Sequence, residues 1–186
     1  MSVLIISPER GLSSPQVIND PLQICAELGR SGVLFEQWQL AQPLAMGAGE
    51  AQVIAAYQRD IDRLMKKYNF HAVDLVSIGP DHPKRGELRS QFLGEHTHSD
   101  FEVRFFVEGR GLFYLHIKEQ VYGLMCEAGD LISVPKGVPH WFDMGESPDF
   151  RCIRLFTDQA GWIAEYTDSS IAVSFPSFER FVDQYL

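Results

Sequence analysis

From Gly94 onward the sequence alternates apolar and polar residues with a period of two, broken at short intervals by turn formers. That is the repeat of a β-strand, whose successive side chains point to opposite faces of a sheet. The pattern predicts strands over residues 101–108, 111–118, 121–126, 130–134 and 150–156. Between them stand Glu108-Gly109-Arg110-Gly111, Glu119-Gln120, Ala128-Gly129-Asp130 and Pro135-Lys136-Gly137. Glycine, proline, aspartate and their like favour the backbone angles of tight turns. Short strands at even spacing predict an antiparallel sandwich or barrel.

The preceding residues, to about position 93, read as mostly helical. Asp20-Pro21 has the form of an N-cap with proline at the first helical position, and Leu22, Ile24, Cys25 and Leu28 follow at helical spacing. Val33-Leu34-Phe35 predicts a short strand. The strongest helix covers 50–68, with Val53, Ile54, Tyr57, Ile61, Leu64, Met65 and Tyr68 on one face. Another is expected around Lys84 to Phe92, and the first twenty residues add little. After position 160 the chain reads as irregular structure anchored by Trp162, Tyr166, Phe175, Phe178 and Phe181. A chain of 186 residues can bury roughly 70% of its surface in one core. The expectation is a single domain over 1–186, mostly β with N-terminal helices packed outside. It divides into a largely helical part (1–93), a barrel core (94–160) and a C-terminal packing segment (161–186).

Composition removes several classes. With 45% hydrophobic and 22% charged residues the chain is not disordered throughout. Sixteen basic against twenty-five acidic residues leave a net charge of −9, contrary to the basic face that nucleic acid requires. Val3–Ile6 is too short an apolar run to span a bilayer, and no basic segment precedes it as in a secretory signal. Cys25, Cys126 and Cys152 form neither a disulfide framework nor a zinc pair, and read as buried or half-buried thiols of a reducing compartment. A cytoplasmic protein is expected, without membrane or nucleic-acid partners. Nothing demands a dimer, so a monomer is expected.

The chemistry concentrates in Glu95-His96-Thr97-His98-Ser99-Asp100-Phe101-Glu102 and in His140. Imidazoles with a carboxylate suit divalent first-row metals. His96 and His98 share one face of a strand, but Glu102 would stand about 20 Å from His96 if the strand ran straight. The chain must therefore reverse at Ser99-Asp100, with His96 and His98 closing one strand and Glu102 opening its antiparallel neighbour. The strand allows two readings: Phe101, Val103, Phe105 and Val107 in the core with the even residues in water, or Glu102 facing inward with Arg104 and Phe106, in which case the apolar odd face needs a cover. The 50–68 helix can supply it.

The spacing H-x-H, three residues, Glu102, six residues, Gly109 resembles the first motif of the cupin superfamily. Gly129 to His140, as G-x5-P-x-G-x2-H, resembles the second. Ser90 and Met144 depart from the usual glycine and asparagine, but neither position is a ligand. Within the superfamily the chain is similar to the acireductone dioxygenase family. The resemblance rests on Leu88-Arg89, Phe92–His98, Glu102–Gly109, Val134–Phe142, Arg154–Phe156 and Gly161-Trp162.

The resemblance implies a jelly-roll in which His96, His98, Glu102 and His140 hold one Fe(II) or Ni(II), leaving two positions for an enediol substrate that reacts with O2. It implies formate plus 4-methylthio-2-oxobutanoate with iron, and formate, CO and 3-methylthiopropionate with nickel. Arg104 would favour the substrate dianion, since a nearby positive charge lowers an acid's pKa. Its structural alternative is a pair with Glu108 or Asp100. Phe92, Phe106, Phe142 and Trp162 are candidates to line an apolar pocket, and Arg154 to steer the substrate or form a salt bridge. Glu95 carries a metal-delivery role by resemblance, against the plainer reading of a solvated carboxylate. His71, His82 and His116 are expected at the surface. The same ligand set also fits flavonol-cleaving and oxalate-degrading cupins, or a metal-stabilised ligand sensor.

Overall fold

A computed structural model describes residues 1–10, 15–40, 47–157 and 163–186. Its spine is one sixteen-residue strand, Glu102–Ile117 (β6), where two strands and a turn were expected. Gly109 does not reverse the chain. At φ +74 it bends the strand, so that residues before it pair in one layer and residues after it in another. A Cβ at this position would lie 1.9 Å from the Asp149 carbonyl oxygen, so only glycine fits the bend.

The other elements, in chain order, are β1 (Val3–Pro8), β2 (Gln16–Ile18), α1 (Pro21–Arg30), β3 (Leu34–Gln37), α2 (Glu50–Ala56), α3 (Gln58–Tyr68) and β4 (Ala72–Ile78). After these come α4 (Arg85–Leu93), β5 (His96–Thr97), β7 (Gln120–Glu127), β8 (Asp130–Val134), β9 (His140–Asp143), β10 (Phe150–Phe156), β11 (Glu165–Tyr166) and α5 (Phe178–Tyr185). One layer runs β2-β1-β7-β6-β9-β5-β11, and the other β3-β8-β6-β10-β4. The two share β6, and among the described residues the ladder stays open rather than closing into a barrel.

Several expectations hold. The Asp20 side chain accepts the Gln23 N–H at 2.8 Å and Pro21 opens α1. Only Ile24 and Leu28 of that helix are buried, however, and Leu22 and Cys25 are exposed. The 50–68 helix is divided at Tyr57, whose φ −110 and ψ 11 end α2 before α3 begins. Among its described residues the N-terminal part supplies four strands, three of them unexpected. In β1 a continuous apolar run hides the period of two, because Leu4 and Ile6 pack into one cluster while Val3 and Ile5 pack into another. The tail, read as irregular, carries β11, a 3-10 turn at Ile171–Ser174 and α5.

Among the described residues apolar side chains form three clusters. Leu4, Phe106, Phe113, Leu124, Ile132 and Phe142 fill the space between the layers. Val103, Phe105 and Val107 on the opposite face of β6 meet Val53, Tyr57, Ile61 and Leu64 of α2, α3 and the joint between them, the cover the alternation called for. Tyr57 and Phe105 lie 4.8 Å apart, edge to face. Trp141 and Tyr114 stack at 4.9 Å beneath Phe175 and Phe181 of the tail. Among the described residues no helix is long and apolar enough to cross a membrane.

Candidate metal centre

The reversal after His98 occurs, but the neighbours differ from those expected. β5 lies between β9 and β11, with His96 directly opposite His140 on one side and Tyr166 on the other. Glu102 opens β6 opposite Val134 of β8 instead. The Pro135-Lys136-Gly137 turn links the two: Gly137, at φ +74, donates its N–H to the His98 carbonyl at 2.9 Å.

All four candidate ligands are buried, and their ligand atoms lie within 4.8 Å of one another. Each imidazole is oriented by a backbone carbonyl. His96 Nδ1 donates to Gly94 O at 2.7 Å, His140 Nδ1 to Val138 O at 2.7 Å, and His98 Nδ1 faces Ile163 O at 3.3 Å. A carbonyl can only accept, so the Nδ1 proton is fixed and the Nε2 lone pair is left for the interior. Glu102 Oε2 then stands 3.0 Å from His140 Nε2 and 3.1 Å from His98 Nε2. Lone pairs at this range repel unless a positive centre lies between them. Two donors at about 2.1 Å from one centre and at right angles to each other are about 3 Å apart, so the spacing fits a shared cation.

The other oxygen, Oε1, accepts from Arg104 Nε at 2.6 Å. Arg104 therefore pairs with Glu102 rather than with Glu108 or Asp100. Burial alone would raise the Glu102 carboxyl, but the Arg104 guanidinium beside it holds it well below the usual range. Burial, with His140 close by, pushes His96 down to about 4. The ring and the carboxylate thus stay in their metal-binding protonation states at neutral pH.

The cluster opens on a pocket of about 270 Å³ lined by Gln91, Phe92, His96, His98, Glu102, Arg104, Phe142, Arg154, Ala164 and Tyr166. Phe92 and Phe142 are 6.2 Å apart, and the Arg104 guanidinium lies 5.9 and 5.4 Å from their ring centres. Phe106 sits behind the wall, in the inter-layer core against Phe113 and Phe150. Arg154 reaches the pocket while bound to Asp74 through Nε at 2.7 Å. Trp162 lies outside the described residues. Tyr166 went unread as a pocket residue because only the β5–β11 pairing, which no spacing encodes, brings it there.

Three surface assignments are corrected. Glu95 is 4% exposed rather than solvated, and His116 is held by Glu95 at 2.7 Å and Glu9 at 3.1 Å. Local sequence does not show the neighbouring segments that cover them. His82 is half-buried, and His71 is exposed as expected.

A two-layer β fold presenting three imidazoles and one carboxylate toward a single point is the metal centre of a cupin. The chain belongs to the ARD/ARD' family, whose profile matches residues 12–164. It is 52% identical over 185 residues to the acireductone dioxygenase of Methylococcus capsulatus, covering 100% of both chains. With that of Aquifex aeolicus it shares 55% over 166 residues, 89% of this chain and 91% of the relative. The solved acireductone dioxygenase from Bacillus anthracis, with a cadmium ion in its active centre, superposes with a TM-score of 0.80 at 28% identity. That superposition covers 89% of this chain and 98% of the other.

Proposed function

We propose that the chain is a metal-dependent dioxygenase that cleaves acireductone, 1,2-dihydroxy-3-keto-5-methylthiopentene, with O2. Membership of the ARD family supports the reaction class. The single observation that carries the site is Glu102 Oε2 facing two imidazole nitrogens at 3.0 and 3.1 Å, in a pocket that also holds Arg104.

His96, His98, Glu102 and His140 would hold Fe(II) or Ni(II), one per chain. An ion held there would supply Lewis acidity toward the oxygens of a bound enediol. The chain's own groups do the rest. Arg104 places a fixed positive charge beside the metal ligands, which favours loss of protons from the enediol hydroxyls. Phe92 and Phe142 offer an apolar wall to the methylthio tail, and Arg154 a second cation at the pocket edge. Glu102 keeps Oε2 for the ion because Arg104 occupies Oε1. Addition of O2 across the enediolate and cleavage of C–C bonds balances as substrate plus O2 giving formate and 4-methylthio-2-oxobutanoate with iron. With nickel it balances as formate, CO and 3-methylthiopropionate. We place the reaction in methionine salvage, carried out by a cytoplasmic monomer of one domain.

A pocket of about 270 Å³ is below the usual range for ligand sites, which speaks against a three-ring flavonol. Its two phenylalanine walls suit oxalate poorly. The test is anaerobic loading of stripped protein with Fe(II) or Ni(II), followed by O2 and acireductone. Formate from both forms, with CO from the nickel form alone, is expected. Retained metal with no consumption of acireductone by either form would overturn the proposal and favour a ligand sensor.

A further inference from the structure

The network that buries Glu95 lies outside the ligand cluster, yet it ends on the pocket. Oε1 of Glu95 meets His116 Nδ1 at 2.7 Å, and Oε2 accepts the Thr167 hydroxyl. The Glu95 carbonyl also accepts the Thr167 N–H at 3.1 Å. His116 is fixed in turn by Glu9 at 3.1 Å, and its backbone N–H donates to Pro139, the residue before His140, at 2.8 Å.

Thr167 ends a strap along the pocket. Within it the Ile163 carbonyl faces His98 Nδ1 at 3.3 Å, and Ala164 and Tyr166 line the cavity. The Tyr166 hydroxyl donates to Gln91 O at 3.0 Å. Both residues of β11 are exposed, so apolar burial does little to hold this strand. What fastens it is polar, and its one deeply buried charged anchor among the described residues is Glu95. A lone carboxylate beside a ligand suits metal delivery. One already engaged by an imidazole and a hydroxyl suits a fixed anchor.

We propose that Glu95 and His116 are positioning residues: a buried carboxylate, held by a half-buried imidazole, fastens residues 163–167 over the pocket. Through the Ile163 carbonyl this strap sets the His98 ring and so the retention of the metal. The proposal rests on the metal centre described above. It is tested with Ni(II)-loaded wild-type protein, Thr167→Val, Thr167→Ser, Glu95→Ala and the Glu95→Ala/Thr167→Val double variant. Ni(II) release into excess chelator and amide hydrogen exchange over 163–168 are followed, and a urea midpoint for each variant separates unfolding from release. Thr167→Val and Glu95→Ala are expected to release Ni(II) roughly tenfold faster, with faster exchange in the strap. Thr167→Ser, which keeps the hydroxyl, stays within about twofold of wild type. Because the two positions act through one contact, the double variant releases no faster than the quicker single variant. Wild-type rates in Thr167→Val, fully additive effects in the double variant, or a wild-type chain that holds no Ni(II) would overturn the proposal. Neither readout involves acireductone, so failure of the dioxygenase reading is told apart from failure of this one.

Discussion

Arg104 holds Glu102 Oε1 at 2.6 Å and reaches the same cavity as His96 and His98. Replacing it with alanine removes the fixed charge beside the substrate, so kcat/KM in an O2-uptake assay should fall by about 10²-fold. Arg104→Lys keeps the charge without the fork and should recover only part of that loss. Proton binding gives a second expectation. His96 falls to about 4 in the folded chain, so below its ordinary value of 6.5 the unfolded chain takes up a proton that the folded one refuses. Stability of the metal-free protein should therefore drop as pH falls from 6.5 toward 4, by at most about 1.4 kcal/mol per pH unit for this one group. Glu102, held below its ordinary 4.5, adds a loss of the same sign at still lower pH. Urea unfolding midpoints at several pH values check the slope, and a midpoint that rises on acidification would contradict it.

At the scale of elements the decisive feature is the bend in β6. Gly109→Ala puts a methyl against the Asp149 carbonyl as well as forcing φ +74, and should cost about 2 kcal/mol or more. Gly137→Ala forces φ +74 with nothing within 4 Å, and should cost about 1–2 kcal/mol of backbone strain alone. Chemical denaturation of the two variants measures the difference, and equal losses would mean that the Asp149 contact is relieved by movement. The same bend shows why local pattern misled the expected topology. Glu108-Gly109-Arg110-Gly111 has the composition of a turn, but composition does not distinguish reversal from a kink. The pairing of residues 102–109 with β8 and β10, and of 110–117 with β7 and β9, makes it a kink.

For the whole molecule, a ligand that binds only the folded state stabilises it. At a free metal concentration one hundred times Kd the gain is about 2.7 kcal/mol, or roughly 5–10 °C in Tm for a chain of this size. Stripping the metal should remove that gain, and His98→Ala should abolish the difference between stripped and loaded protein. A calorimetric scan of the four samples decides it.

The four side chains that the structure clusters were legible in the sequence because the signal is local. His96, His98 and Glu102 lie within seven residues, and the P-x-G turn before His140 is a short-range signal. The amphipathic face of 50–68 was legible too, since helical period and apolar burial are read from neighbours in sequence. Only tertiary structure could set His96 opposite His140 and Tyr166, bury Glu95 against His116 and Thr167, and draw β1 between β2 and β7. Parity states which way a side chain points but not which distant strand comes to meet it. That choice is made by hydrogen bonds and packing between segments far apart along the chain.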